Sequence, residues 1–131
     1  MDRRLYKRVP VSLLGDFILR GSEADQREFD GVIQDVSEGG IKFCVNGAEY
    51  PDLISAIQVG SKILFQSLDE YVFFKERRTD VFHGEVEVVR AEDIDGRMIF
   101  GCRMTKLLPD FANYVKHKKL SLFLESGCAG L

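Results

Sequence analysis

The chain has 131 residues, of which 45% are hydrophobic and 30% are charged, and its formal net charge is −3. This length fits one domain with a modest core, and the composition is that of a folded globular protein rather than a disordered chain. The negative net charge disfavours blanket electrostatic binding of nucleic acid, which needs a broadly basic face. Any site for an anion must therefore be local.

The chain lacks the usual signals of membrane insertion and export. No apolar run approaches the roughly 20 residues that span a bilayer, and Pro10 and Gly15 follow the basic N-terminus where a signal core would stand. Cys44, Cys102 and Cys128 are widely spaced, which favours reduced thiols over a disulfide framework or a zinc site. We expect a cytoplasmic protein with no metal site and no membrane insertion.

Apolar residues recur at every second position through most of the chain, which predicts half-buried antiparallel strands. The predicted strands lie near residues 9–20, 27–36, 40–46, 61–69, 70–77, 82–92 and 97–105, of which the fourth and fifth can form one strand. Turn signals stand at Gly21-Ser22, Gly39-Gly40, Asn46-Gly47 and Asp95-Gly96. Many short strands with close turns predict an all-β fold, a six- to seven-stranded antiparallel β-barrel.

Two segments depart from this period. Residues 48–59 contain Pro51 and several apolar residues, which predicts a helical turn at one barrel mouth. From Pro109 the apolar residues follow a helical period, and Gly127 suits a left-handed stop, so we predict a C-terminal α-helix over residues 109–126. Its apolar face holds Phe111, Tyr114, Val115 and Leu122, and we expect Lys116, Lys118 and Lys119 to form a solvated face.

A basic cluster precedes the first predicted strand. It consists of Arg3, Arg4, Lys7 and Arg8. Arginine offers a planar fork of donors that matches phosphate oxygens and also the O6 and N7 acceptors of guanine. Basic clusters at chain ends are usually only solvated, so this cluster alone does not define a site.

The segment Asp35-Val36-Ser37-Glu38-Gly39-Gly40 lies between two predicted strands. One interpretation is a plain hairpin turn, in which Gly39 or Gly40 supplies a positive φ. The other is a binding turn: the Asp35 carboxylate can accept the N1 and N2 protons of guanine, while the Ser37 hydroxyl and the backbone amides suit phosphate. Gly40 would let a ligand approach the backbone.

Taken together, the two segments resemble a known motif pair. Residues 4–8, followed some 27 residues later by residues 35–40, resemble the RxxxR and (D/N)xSxxG motifs of the PilZ domain family. The resemblance spans about residues 3–107, with Gly84 before alternating valines and residues 100–104 as the closing strand. It implies a bacterial signalling protein with a six-stranded antiparallel barrel, an added helix and cyclic di-GMP as its ligand.

The resemblance also implies a ligand site. Arg4 and Arg8 would grip guanine edges and phosphate, and the turn would form a fixed wall. The implied ligand-binding residues are Arg3, Arg4, Arg8, Asp35, Ser37, Gly39 and Gly40. Members with the extra leading arginine often bind a stacked ligand pair, so Arg3 implies up to two molecules per chain.

We expect a single PilZ-like domain over residues 1–131, with a flexible arginine segment (1–8), a barrel (9–107) and the helix (109–126). Binding would order the arginine segment across the barrel, and the changed surface would regulate an unidentified protein partner. The protein would be a monomer or a homodimer.

We expect no enzyme and no cofactor other than this ligand. Ser37 has no histidine near it in the sequence, and no paired acids, Walker loop or HExxH motif is present. His83 and His117 lie on different predicted elements, which disfavours a metal site. Two alternatives remain: a PilZ-like adaptor that acts through protein contacts without the nucleotide, and a small barrel that binds single-stranded nucleic acid. The acidic net charge disfavours DNA or RNA as partners.

Overall fold

The computed structural model describes residues 8–21 and 26–126, and in this part of the chain six antiparallel strands close into a barrel. The strands are β1 (Val9–Arg20), β2 (Arg27–Ser37), β3 (Gly40–Asn46), β4 (Lys62–Phe73), β5 (Glu76–Ile94) and β6 (Arg97–Met104). Two helices accompany them, α1 (Pro51–Ala56) and α2 (Pro109–Ser126). Around the ring the order is β1-β2-β3-β6-β5-β4. The predicted all-β barrel with a C-terminal helix is confirmed.

The alternating pattern of the strands places aromatic rings inside the barrel. Phe17, Phe43, Phe82 and Phe100 are all at most 1% exposed. The rings of Phe17 and Phe43 stack with their centroids 4.3 Å apart. Each such burial contributes about 1.5–3 kcal/mol, so these rings form the main apolar support of the ring of strands.

Two tight hairpin turns join neighbouring strands, and the residue types predict only one of them. Asp95 and Gly96 have φ of 51° and 82°, as expected for a two-residue turn of this composition. Phe74 and Lys75 also have positive φ, 51° and 67°, although neither residue type favours that conformation. The alternative of one strand in place of 61–69 and 70–77 is confirmed by β4 (Lys62–Phe73), but its predicted end was wrong, because the turn at Phe74-Lys75 places residues 76–77 in β5.

Helix α1 joins the end of β3 to the start of β4. It begins with Pro51, whose fixed φ and missing N–H suit the first turn of a helix. Leu53 and Ile57 are each 5% exposed and pack against the core. The predicted helical turn at one barrel mouth is confirmed, with shorter bounds.

Helix α2 lies at the other end of the barrel. Phe111, Tyr114 and Val115 are at most 1% exposed, and the Phe111 ring lies 5.8 Å from Phe65 and 5.7 Å from Phe82. These are three of the four residues predicted for its apolar face. Neither described helix is long and apolar enough to cross a lipid bilayer.

Helix α2 also fills a gap between two strands. β1 and β4 pair only from Gly15 with Ser67 to Arg20 with Lys62, so the remainder of β4 pairs with β5 alone. Along that remainder, the Ser121 hydroxyl of α2 donates a 2.6 Å hydrogen bond to the carbonyl of Val72. The barrel is thus sealed by strand pairing at one end and by α2 at the other.

Candidate functional site

The topology brings the two sequence motifs to the same end of the barrel. Because neighbouring strands are antiparallel, the start of β1 lies beside the end of β2 and the β2–β3 turn. Pro10 pairs with Asp35, so Arg8 enters the first strand next to this turn. The end of β4 and helix α2 meet at the same end, and the candidate site therefore borders α2.

Arg8 and Asp35, one from each motif, form a direct ion pair that the sequence did not predict. Nη1 of Arg8 lies 2.5 Å from Oδ1 of Asp35, with side chains 24% and 13% exposed. Lys42 pairs with Asp35 across β2 and β3, and its Nζ lies 3.3 Å from Oδ2. Both carboxylate oxygens of Asp35 thus face cations, and no local sequence signal marks Lys42 before the strand register is known.

Ser37 and Gly40 pair with each other at the ends of β2 and β3 and close the turn. Ser37 is 5% exposed. A Cβ atom on Gly40 would lie 2.0 Å from the carbonyl oxygen of Cys102 in β6. The space that a side chain would take at Gly40 is therefore filled by β6, which explains the glycine without a ligand.

The expectation that Gly39 or Gly40 supplies a positive φ is wrong. In the described chain, the glycines with positive φ are Gly60 and Gly96. Gly39 instead holds the neighbouring strand end, since its carbonyl accepts a 2.8 Å hydrogen bond from the Met104 amide. The turn is fixed by backbone contacts with β6.

Two lysines of α2 do not form the solvated face that the sequence suggested. Nζ of Lys119 lies 2.9 and 2.8 Å from the two carboxylate oxygens of Glu38, in the β2–β3 turn. Nζ of Lys118 lies 3.2 Å from Oδ2 of Asp69, and this lysine side chain is only 16% exposed. Only Lys116 is exposed as expected. The acidic partners lie 81 and 49 positions away in the sequence, so the helical period alone could not reveal them.

A buried polar cluster fastens α2 to β4. The Tyr114 hydroxyl donates a 2.7 Å hydrogen bond to Asp69, whose residue is 6% exposed. Lys118 also lies 4.9 Å above the Tyr71 ring, and the Tyr71 hydroxyl donates to Asp80. Burial raises the pKa of Tyr114, and the hydrogen bond to Asp69 raises it further. Burial and the hydrogen bond to Asp80 likewise raise the pKa of Tyr71, so both phenols are neutral donors near neutral pH.

An open groove of about 1280 Å³ lies along the outer face of β1, β2, β3 and β6. Lys42 lines the groove next to Asp35, and Gln34 and Arg97 add polar groups. Cys44 contributes to its wall, whereas Cys102 is buried in β6. Burial raises the pKa of the Cys102 thiol to about 12, so this thiol stays protonated and packs as a small apolar side chain.

The histidines have separate surroundings. Nδ1 of His83 lies 2.8 Å from Oδ2 of Asp110. Asp110 is 27 positions away in the sequence, so the sequence alone did not predict this contact. His117 packs against the Phe73 ring, with centroids 5.2 Å apart.

The predicted site residues Arg3 and Arg4 lie outside the described residues.

Comparisons with solved structures identify several similar folds. The inhibitor of motility MotI/DgrA from Bacillus subtilis is 18% identical with a TM-score of 0.61, covering 92% of this chain and 53% of that one. The PilZ domain of YcgR from Escherichia coli, solved with c-di-GMP, is 15% identical with a TM-score of 0.58, covering 95% and 92%. PlzA from Borreliella burgdorferi, solved in complex with c-di-GMP, is 16% identical with a TM-score of 0.52, covering 92% and 52%.

At these identities the solved structures show a shared fold. This chain spans about half the length of the MotI/DgrA and PlzA chains that it matches. A comparison with curated proteins gives no significant match. The sequence model of the PilZ domain matches residues 2–117, which is most of the chain. The chain therefore belongs to the PilZ domain family.

Proposed function

We propose that this chain is a cytoplasmic receptor for cyclic di-GMP that changes its surface on binding and so regulates a protein partner. The observation that supports this most directly is the contact between Arg8, the last residue of the RxxxR motif, and Asp35, the first of the DxSxxG motif. Membership of the PilZ family and the fold shared with two c-di-GMP complexes support the same ligand. The proposal assigns the chain no catalytic activity.

The chemistry of the motif residues suits a guanine dinucleotide. Asp35 would accept the N1 and N2 protons of guanine, and Arg8 would donate to the O6 and N7 atoms or to a phosphate. Ser37, Gly39 and Gly40 would form the fixed wall of the site. Because Asp35 faces Arg8 and Lys42, guanine binding would replace one of these ion pairs and free a cation for the phosphates.

The arginine segment would be the moving part of the receptor. Arg3, Arg4 and Arg8 carry like charges that two phosphates would neutralise, so binding would draw residues 3–8 across the turn. We expect backbone amide exchange in residues 3–8 to slow when cyclic di-GMP is added. Exchange that stays equally fast with and without the ligand would contradict this mechanism.

Isothermal titration calorimetry tests the binding itself. We expect the wild-type protein to bind cyclic di-GMP, and we expect Arg4→Ala and Arg8→Ala to lose most of that affinity, since each removes charge-assisted hydrogen bonds. Arg27→Ala is the matched control, because Arg27 lies at the far end of β2 and contacts the carbonyl of Asp52. If two molecules bind per chain, Arg3→Ala should reduce the stoichiometry toward one.

A second candidate function is an adaptor that does not bind the nucleotide. It is favoured by the same ion pairs, because both oxygens of Asp35 are already engaged within the protein. Absence of binding heat from the wild-type protein would support this adaptor and overturn the receptor. A single-stranded oligonucleotide serves as a parallel ligand, and binding with a steep salt dependence would instead favour nucleic acid.

A further inference from the structure

Helix α2 contacts the candidate site through one ion pair. Lys119 and Glu38 have side chains that are 30% and 24% exposed, and both carboxylate oxygens lie within hydrogen-bonding distance of Nζ. The pair is shielded from water over most of its surface, which strengthens its attraction relative to an exposed pair. It joins the C-terminal helix to the turn between β2 and β3.

Glu38 presents an electrostatic problem for the proposed ligand. It stands between Ser37 and Gly39, in the turn that would receive phosphate. A free carboxylate there would repel a ligand with two negative phosphates. Within residues 8–21 and 26–126, Lys119 is the cation that pairs with Glu38 and offsets this repulsion.

We propose that Lys119 is a residue of the nucleotide site, and that its exchange between Glu38 and a ligand phosphate is how α2 senses the ligand. This rests on the proposed function, because it takes cyclic di-GMP as the ligand. Lys119 needs no large movement to serve, since its ammonium group already lies at the turn.

The contacts of α2 determine which part of the helix would respond. Tyr114 and Lys118 bind Asp69, and Ser121 binds the carbonyl of Val72, so α2 is fastened to β4 on both sides of Lys119. Because Lys119 lies between the anchors Lys118 and Ser121, we expect a change at Lys119 to alter these two contacts, and hence residues 117–122, rather than the start of the helix. By linkage, whatever holds Lys119 at the site also changes the affinity for the ligand.

Titration of four variants with cyclic di-GMP tests this inference. We expect Lys119→Ala to weaken binding by at least about fivefold, and Glu38→Gln to strengthen it by about twofold or more, because the repelling charge is gone and Lys119 is free. Lys119→Arg should keep most of the affinity. Lys116→Ala is the matched control, since it removes the same charge from an exposed position of the same helix.

Amide exchange of α2 provides the second readout. In the wild-type protein, saturating cyclic di-GMP should change the exchange of residues 117–122, and in Lys119→Ala at saturation this response should disappear. Equal affinities for Lys119→Ala, Lys116→Ala and the wild type would overturn the inference while leaving the receptor in place. Equal losses in both alanine variants would also overturn it, because the effect would then be general electrostatics. A wild-type protein that binds no cyclic di-GMP would overturn the receptor and this inference together.

Discussion

The carboxylate of Asp35 is held between Arg8 on one oxygen, at 2.5 Å, and Lys42 on the other, at 3.3 Å. Arg8 lies 27 positions before Asp35, and Lys42 faces it across two paired strands. The carboxylate thereby orients both cations at the end of the barrel where the RxxxR motif ends. Any guanine that binds Asp35 meets positive charge on either side of it.

Asp35→Asn tests the role of this carboxylate in binding. An amide presents one acceptor where the carboxylate presents two, and it loses the charge that attracts Arg8 and Lys42. We expect affinity for cyclic di-GMP to fall at least about tenfold, while the free energy of unfolding falls by only about 1 kcal/mol. Calorimetric titration and urea denaturation measure the two quantities. A loss of stability with unchanged affinity would make Asp35 purely structural.

Gly40→Ala tests the close approach of β3 and β6. The added Cβ would meet the carbonyl oxygen of Cys102 at 2.0 Å, so the strands must separate. We expect the free energy of unfolding to fall by about 2 kcal/mol or more. Gly101→Ala on β6 is the control, because its Cβ would meet only the flexible side chain of Arg90 at 3.3 Å. Equal denaturation midpoints for the two variants would refute the steric explanation.

Alkaline pH should destabilise the protein through Tyr114. Its pKa is raised above the ordinary value of 10.0 by burial and by the hydrogen bond to Asp69. A group whose pKa is raised on folding contributes stability that is fully present below the unfolded pKa and is lost as pH rises above it. We expect the free energy of unfolding to begin to fall near pH 10, where the unfolded tyrosine ionises, and to keep falling as pH rises further, because folded Tyr114 stays protonated.

Tyr114→Phe is the control for this pH effect. Near neutral pH it should cost about 1–2 kcal/mol, because Asp69 loses a buried donor and, among the described side chains, keeps Lys118 as its partner. Above about pH 10 the difference from the wild type should shrink, since the wild type must keep a phenol neutral and the variant has none. Urea denaturation over the pH range measures both. A gap that stays constant with pH would contradict this account.

The β4–β5 turn offers a stabilising substitution. Lys75 has a φ of 67°, a conformation that costs a residue with a side chain about 1–2 kcal/mol and costs glycine almost nothing. We expect Lys75→Gly to raise the free energy of unfolding by about 0.5–1 kcal/mol, even though glycine makes the unfolded chain more flexible. Thermal denaturation beside Lys75→Ala checks this, and a gain in the alanine variant would point to the removed charge instead.

The strand pattern predicted most of the fold because the alternation of apolar residues follows directly from which face of a strand is buried. The turn at Phe74-Lys75 could not be predicted, since neither residue type favours positive φ and only the pairing of β4 with β5 imposes it. For the site, the motif pair implied that the arginine segment and the turn lie close together, and Arg8 does lie beside the turn, but its direct ion pair with Asp35 was not predicted. The binding roles of these residues stay predictions.

Contacts that depend on register or helix placement were not predictable in this way. Lys42 faces Asp35 only because β2 and β3 pair in one register, with an irregularity just before Asp35. Lys119 reaches Glu38 only because α2 lies across the end of the barrel. A single sequence contains no local signal for either contact, since both are set by tertiary packing.

Because β1 pairs with only part of β4, helix α2 has a second role, which is to cover the unpaired part of β4. From Leu68 to Phe73, one side of β4 faces α2 rather than another strand. If α2 were lifted away, this stretch would become an exposed edge with unpaired amide and carbonyl groups, the kind of template to which a foreign strand adds. The helix thus protects this edge of β4 from strand exchange and self-association. Truncation before Pro109 should therefore yield a barrel that aggregates.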